Sequence, residues 1–385
     1  MGMEGGDSAR QTVYSRVRRT QERYMAARPY AIVIPSMTIV IFAGAGASKA
    51  VNPREYPATV EFFERLPETI KSQAIFKRVL EYLTSNSEKT ETVDVERILW
   101  VLRELDAFIG QAADARSVPG WFLRGDRLGV SANLSNLLDP APTIRQKVSA
   151  LVDHINARVY DFYARPPEKY ELETNWLALL RPLLGSRQPI ELFTTNYDIN
   201  IEVALQILKE DNSIQQQIQT GRGSGVYPLL DESLWARGVQ ELPRPVGLLT
   251  KLHGSVDWSR GSQGIFVGDP LYKGSHEKQV ILYPGFKGTP AVEPFALFHH
   301  YLAGAVAKAS AIIFIGFAFR DDYINQILSR FTSSYAKLYI IDPAESLPGV
   351  PYPQERVMHL KSSFSESIVA ISRILNALIA SNRGA

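Results

Sequence analysis

A run of β-branched and apolar residues that leads straight into a turn of small residues restricts the fold most. The run is Thr38–Ala43, TIVIFA, and the turn that follows it is Gly44-Ala45-Gly46-Ala47-Ser48. An uninterrupted apolar run is typical of a strand buried on both faces of a parallel sheet. Glycines at its end allow a tight turn and let backbone amides approach a phosphate. The turn lacks a full G-x-G-x-x-G pattern and is not a P-loop, so a purely structural turn is the alternative.

Further strands and helices alternate along the chain. Strands are predicted at residues 189–195, 246–252, 264–267, 279–283, 311–317 and 337–342. Helices are predicted from about residue 199 and at residues 59–65, 294–310, 322–331 and 365–379. This alternation predicts an α/β fold with a Rossmann-like, doubly wound parallel sheet. We expect an N-terminal arm at 1–30 and one domain over 31–385.

The segment at about 68–184 has a helical pattern and lies between the first two predicted strands. Its apolar residues form two stripes at helical spacing: Ile98, Leu99, Leu102, Leu105 and Phe108, and Val148, Leu151, Val152, Ile155 and Val159. We predict an inserted helical subdomain whose stripes belong to the core rather than to a binding site. Two loops are also predicted, one at 116–143 with several Gly and Pro residues and a polar, exposed one at 211–225.

Composition excludes several classes of protein. The chain has 42 Lys and Arg against 40 Asp and Glu, a net charge of +2, so direct nucleic-acid binding is not expected unless a local basic patch provides it. The absence of cysteine excludes disulfides and cysteine-rich zinc sites. Neither a membrane span nor a secretory signal is apparent, and a cytoplasmic location is expected.

Chemically useful side chains follow three more predicted strands. In open parallel sheets, ligands bind beyond the carboxyl ends of the strands. These ends read Thr194-Thr195-Asn196-Tyr197-Asp198, Lys251-Leu252-His253-Gly254-Ser255-Val256-Asp257-Trp258, and Ile315-Gly316-Phe317-Ala318-Phe319-Arg320-Asp321-Asp322, with Ile341-Asp342 after the last strand. The polar residues of these segments can also be explained by a purely structural role. Asn and Asp are common helix caps, and a lone histidine is more often structural than catalytic, although histidine is well suited to accept protons near neutral pH.

Together, in this order, the segments FAGAGAS, TTNYD, LHGSVDW and IGFAFRDDYIN resemble the motifs of the sirtuin family. They are most similar to those of sirtuin-like NAD hydrolases of bacterial antiviral defence. The resemblance extends over roughly residues 38–345, although the helical insertion has no recognisable match. It implies that Asn196 contacts the nicotinamide ribose and positions a water, and that His253 is the catalytic base. The cofactor-binding residues that it implies are Gly44, Ala45, Gly46, Ser48, Thr195, Asp198, Gly316 and Asp342.

The resemblance implies an NAD glycohydrolase that needs no metal and depletes NAD in antiviral defence by abortive infection. Protein-deacylating sirtuins carry a cysteine-built zinc module, which this chain lacks, and small hydroxyl residues where Phe317 and Ala318 stand here. An NAD-dependent protein deacylase is therefore an alternative of lower rank. A non-catalytic module that senses NAD or ADP-ribose is another alternative, but it would not need both Asn196 and His253.

The resemblance also implies assembly with other proteins. We expect a homo-oligomer, with a partner such as a HerA-type ATPase and no membrane association. The predicted C-terminal helix carries an apolar stripe that either packs on its own domain or meets a partner; its residues are Ile368, Ile371, Leu375, Leu378 and Ile379.

Overall fold

The computed structural model describes residues 38–57, 59–86, 93–113, 141–185, 189–210, 217–225, 228–237, 246–268, 278–283 and 293–383. The N-terminal arm predicted at 1–30 and most of the loop predicted at 116–143 lie outside these residues.

The strands are β1 (Thr38–Ala43), β2 (Ile190–Thr194), β3 (Gln217–Gln219), β4 (Val246–Lys251), β5 (Gly254–Gly261), β6 (Gly264–Val267), β7 (Lys278–Ile281), β8 (Ala309–Ile315), β9 (Lys337–Ile341) and β10 (Val357–Leu360). The α-helices are α1 (Ala45–Val51), α2 (Thr59–Arg65), α3 (Glu68–Lys71), α4 (Ala74–Asn86), α5 (Val95–Ala113), α6 (Ala141–Tyr163), α7 (Lys169–Leu172), α8 (Trp176–Gly185), α9 (Asn200–Lys209), α10 (Ser233–Arg237), α11 (Phe295–Lys308), α12 (Asp322–Phe331) and α13 (Phe364–Arg383).

Seven strands form one sheet in the order β10-β9-β8-β1-β2-β4-β3. Every neighbouring pair in it is parallel. From β1 in the centre of the sheet, the chain adds β2, passes to the edge at β3 and comes back to β4 between them, and it then crosses to β8 on the other side of β1. The predicted α/β, Rossmann-like, doubly wound sheet is confirmed, and its topological switch point lies between β1 and β8.

Both faces of this sheet are covered, as the continuous apolar run of β1 predicts. Ile39 and Ile41 are buried in a core on one face, whereas Val40 and Phe42 are buried in a core on the other. The alternation follows from the two-residue period of a strand.

Helices α3 to α8 lie between β1 and β2 within the predicted insertion at about 68–184, and they share a core with the sheet. Ile98, Leu99 and Leu102 of α5 have no exposed surface and pack in the same core as Ile39 and Ile41. The stripe on α5 is therefore part of the core, as predicted, except at its end. Phe108 is 57% exposed, whereas the next residue, Ile109, is only 8% exposed and lies in the core, so at this point the buried face of the helix includes Ile109 and not Phe108.

Two strands that we predicted for the main sheet lie elsewhere. The predicted strands at 264–267 and 279–283 correspond to β6 and β7, which pair antiparallel with β5 in a separate sheet ordered β6-β5-β7. The predicted loop at 211–225 contains β3, which pairs with β4 at the edge of the main sheet. An edge strand is held by backbone hydrogen bonds and needs no apolar run, so its polar sequence misled the prediction.

The C-terminal helix α13 packs on its own domain. Ile371, Leu375 and Leu378 are buried in the same core as α8, and the rings of Trp176 and Phe364 are 5.0 Å apart. The apolar stripe is thus used inside the fold and lends no support to a partner surface. Among the described helices, none combines the length and the apolar character that crossing a membrane requires.

Candidate functional site

The ends of five parallel strands lie in register, which brings the predicted motifs to one edge of the sheet. Ala43 at the end of β1 is paired with Thr194 of β2 and with Ile315 of β8. Thr194 is paired in turn with Lys251, and Ile315 with Ile341. Each motif begins within two residues of this row, so the candidate residues share the carboxyl edge that includes the switch point.

The glycine turn after β1 packs directly against the turn after β8. The Gly46 amide donates to the Gly316 carbonyl oxygen at 2.9 Å. A Cβ atom on Gly46 would lie 2.7 Å from the Gly316 Cα, and one on Gly44 would lie 2.6 Å from the Gly316 carbonyl oxygen. The glycines thus have a packing role that the phosphate argument did not include. Gly46→Val would disturb this contact and is not a clean test of ligand binding.

Part of the same turn remains accessible to a ligand. Gly46 is exposed and Ala45 is partly exposed, whereas Gly44 and Ser48 are buried. Ala45 begins α1, so its amide belongs to the first turn of a helix, where anions are favoured.

A directional hydrogen-bond network sets the orientation of the Asn196 side chain. Its Nδ2 group donates to the Gly44 carbonyl oxygen at 2.8 Å and to the Ser48 Oγ at 2.7 Å. The Ser48 hydroxyl donates in turn to the Asp198 carboxylate. Because both amide hydrogens are used, the Oδ1 atom of Asn196 is left to accept a hydrogen bond at the edge of the sheet. Asn196 itself is partly exposed, so a ligand can reach it.

Asp198 is tied into the protein through both carboxylate oxygens. Oδ2 accepts from Ser48, and Oδ1 accepts from the Asn200 amide at 3.0 Å. The buried Lys251 side chain donates to the Asp198 carbonyl oxygen and to Glu202 at 2.8 Å. These hydrogen bonds to Asp198 therefore stabilise the turn that follows β2. The contribution of Lys251 was not predicted, since buried lysines leave no signal in a single sequence.

Thr195 directly follows the end of β2 and is partly exposed. Its amide donates to the Ala43 carbonyl oxygen at 3.2 Å, which links the ends of β1 and β2. This bond leaves the Thr195 side chain next to Asn196 at the edge of the sheet.

His253 is paired with a carboxylate that we had not assigned to the site. Its Nε2 lies 3.0 Å from the Asp321 Oδ2, and its side chain is almost completely buried. Burial opposes the charged form of Asp321, but the hydrogen bond and charge of His253 hold the pKa of this carboxyl below its usual range. An ionised Asp321 can only accept, so the neutral imidazole carries its proton on Nε2. Its Nδ1, a buried atom with no hydrogen-bond partner in the protein, then holds the basic lone pair.

Asp321 is also the N-cap of α12, since its Oδ1 accepts from the Ile324 amide at 2.9 Å. Capping alone would explain an aspartate here, which is why the sequence did not reveal the histidine contact. His299 lies nearby and is buried, and burial lowers its pKa to about 4. His299 is therefore neutral at physiological pH, and the histidine that pairs with Asp321 is His253.

Gly316 and Asp342, the last two of the predicted cofactor-binding residues, lie on the opposite side of β1. Gly316 donates its amide to the Ile341 carbonyl oxygen at 2.8 Å. Asp342 is partly exposed, and its Oδ1 accepts from the Ala344 amide at 2.9 Å. Phe317 is buried against Phe42, with ring centroids 4.5 Å apart. It is a core residue and does not replace the hydroxyl side chain of the deacylases as a ligand.

No cluster of three or more His, Cys, Asp or Glu side chains that could hold a metal ion occurs within the described part of the chain. The expectation that no metal is needed stays a prediction.

Residues 190–365 match the family model described as the SIR2-like domain. The matched range is just under half of the chain. It contains Asn196, His253 and Asp321 but neither the glycine turn nor the helical insertion. The match is a similarity to the SIR2-like family over this part of the chain. No curated protein sequence matches this chain.

Several solved structures resemble the chain at low identity. A Sir2 homologue in complex with NAD is 12% identical over 89% of this chain and 90% of its own, with a TM-score of 0.39. A Sir2 homologue in complex with ADP-ribose is 12% identical over 90% and 93%, with a TM-score of 0.39. A structure that addresses sirtuin substrate affinity is 14% identical over 89% and 96%, with a TM-score of 0.38. At these TM-scores the likeness carries no argument about this chain.

Proposed function

We propose that the chain binds NAD at this edge of the sheet and hydrolyses the nicotinamide–ribose bond to release nicotinamide and ADP-ribose. The observation that carries the proposal is the pairing of His253 with Asp321 beside the strand end that presents Asn196. A base with a set tautomer and an oriented amide oxygen are what the activation of a water molecule requires. The SIR2-like match supports a function that involves NAD.

Each residue has a specific task in this proposal. The Oδ1 of Asn196 accepts a hydrogen bond from the attacking water or from a ribose hydroxyl and so holds it in place. The Nδ1 of His253 accepts the proton that this group gives up. Asp321 then stabilises the imidazolium, as the orienting carboxylate of a catalytic triad does. Since nicotinamide leaves as a neutral molecule, the site needs no acid to protonate it.

Two observations favour hydrolysis over the alternatives. The chain has no cysteine, so the zinc module that helps to shape the peptide cleft of the deacylases is missing. A module that only senses NAD or ADP-ribose would need no base, yet His253 is paired as a base would be. Water is therefore the acceptor that we propose.

Asp321→Asn is expected to lower kcat for nicotinamide release by roughly 100-fold while the KM for NAD stays within about threefold. Asparagine is a good N-cap, so α12 keeps its start. Its amide group would donate to Nε2 of His253, and the imidazole proton would move to Nδ1, where the base is needed. Steady-state nicotinamide release measures the effect.

The matched control is Asp322→Asn, which changes the neighbouring, exposed carboxylate in the first turn of the same helix. It should retain wild-type turnover. An Asp321→Asn enzyme with near-normal kcat would show that the histidine pair has no role in catalysis.

We further propose that this activity depletes NAD in antiviral defence and is controlled by assembly. An unrestrained NAD hydrolase would harm its own cell, so a control must act on it. The resemblance to defence enzymes suggests a homo-oligomer and a partner such as a HerA-type ATPase. Light scattering combined with turnover is the measurement, and we expect an oligomer whose activity rises when the partner is added. A monomer at micromolar concentration that is fully active alone would contradict this.

A further inference from the structure

The helical insertion places a carboxylate within the site. Glu96, in the first turn of α5, accepts a hydrogen bond from the Tyr197 hydroxyl at 2.6 Å. Tyr197 lies between Asn196 and Asp198, and its ring centroid is 6.5 Å from that of His253. One side chain of the insertion is thus linked through a single residue to both proposed catalytic groups.

The insertion also holds the backbone behind His253. The Leu282 amide donates to the His253 carbonyl oxygen at 2.9 Å. Next to Leu282, the Tyr283 hydroxyl donates to the Asn156 Oδ1 of α6 at 2.9 Å, and the Arg103 guanidinium of α5 lies 4.6 Å from the Tyr283 ring centroid. Helices α5 and α6 therefore contact Tyr283, the residue next to the one that bonds the His253 backbone.

The Glu96 carboxylate interacts electrostatically with His253. Burial and the neighbouring Asp94 together raise the pKa of Glu96 to about 7, although the charge of His253 opposes this shift. The ionised form of Glu96 therefore attracts an imidazolium at His253. The titratable groups that face Glu96 are Asp94, Tyr163, Tyr197, His253, Tyr283 and Asp321.

We propose that Glu96 is a positioning residue of the site, which holds Tyr197 and stabilises the protonated form of His253. This inference rests on the proposed function, because it concerns the proton that His253 accepts during NAD cleavage. It makes the helical insertion, which has no match among the family motifs, a structural part of the active site.

The pH dependence of the effect of replacing Glu96 distinguishes a purely structural role from an electrostatic one. If Glu96 only anchored Tyr197, its replacement would lower the rate by the same factor at every pH. If its charge stabilises the imidazolium, the effect must appear only where Glu96 is ionised. Because the pKa is about 7, Glu96 is mostly neutral at about pH 6 and mostly charged at about pH 8.5.

The test is Glu96→Gln, which keeps an oxygen that can accept from Tyr197 and removes the charge. The ratio of wild-type to variant kcat should be near 1 at about pH 6 and rise to roughly tenfold at about pH 8.5, with the KM for NAD nearly constant. Tyr197→Phe, which removes the hydrogen bond and keeps the carboxylate, should lower kcat roughly threefold or more. Glu104→Gln, on an exposed position of the same helix, should match the wild type throughout.

The outcomes separate this inference from the proposed function. A wild-type protein that releases no nicotinamide, either alone or together with its partner, would overturn the proposed function itself. An active wild type with a ratio that is constant from about pH 6 to 8.5, for a Glu96→Gln variant with unchanged melting temperature, would overturn the inference alone. If Glu96→Gln does not fold, an unchanged kcat in Tyr197→Phe would overturn it.

Discussion

His253→Ala and Asn196→Ala should each lower nicotinamide release from NAD by about 10³- to 10⁴-fold. His253→Ala removes the base whose Nδ1 is left free by the contact with Asp321. Asn196→Ala removes the amide oxygen that the bonds to Gly44 and Ser48 orient. Turnover and melting temperature should be measured on the same preparations, because each change also removes hydrogen bonds inside the fold.

The matched control for the histidine is His300→Ala, which replaces an exposed histidine on α11. It should release nicotinamide at the wild-type rate. If a folded His253→Ala or Asn196→Ala protein retained near-normal turnover, the role assigned to that residue would be wrong.

Gly316→Ala is expected to destabilise the fold by roughly 3–5 kcal/mol or to prevent folding. Gly316 has a φ of +56°, a conformation that costs energy for residues with a Cβ. The added Cβ would also lie 2.4 Å from the Ala47 amide nitrogen and 2.5 Å from Gly46. Both neighbours are backbone atoms of the glycine turn, so relief of the overlap requires the two turns at the switch point to separate. Chemical denaturation measures the loss.

Gly225→Ala measures the cost of a positive φ without the overlap of an added Cβ with its neighbours. Gly225 has a φ of +111°, but a Cβ there would meet nothing within 4 Å. Its replacement should lower the free energy of unfolding by only about 1–2 kcal/mol, which is the effect of the positive φ alone. Equal losses for the two variants would show that the contact between the turns does not matter for stability.

The sequence was sufficient for the five strands β1, β2, β4, β8 and β9 and for the edge of the sheet at which the candidate residues lie. An apolar run without alternation, as in β1, is diagnostic of a strand covered on both faces. The carboxyl ends of parallel strands share one edge, so the sequence alone places Asn196 and His253 together. Edge strands are different, because β3 is held by backbone bonds and its polar sequence resembles a loop.

The support around the candidate residues could not be predicted in the same way. Asp321 is explained by helix capping as well as by its contact with His253, and the sequence does not distinguish these roles. Glu96 and Tyr197 are 101 positions apart and meet only because the insertion shares a core with the sheet. The mutual packing of Gly46 and Gly316 likewise depends on strand order, which propensity and spacing do not encode.

The most direct test of the proposed activity is a chromatographic measurement of the products formed from NAD, with and without an acetylated lysine peptide. The proposal predicts that nicotinamide and ADP-ribose appear in equal amounts without the peptide, and that adding it produces neither deacetylated peptide nor O-acetyl-ADP-ribose. Nicotinamide release that begins only when the peptide is present, together with loss of its acetyl group, would contradict the proposal and identify a deacylase.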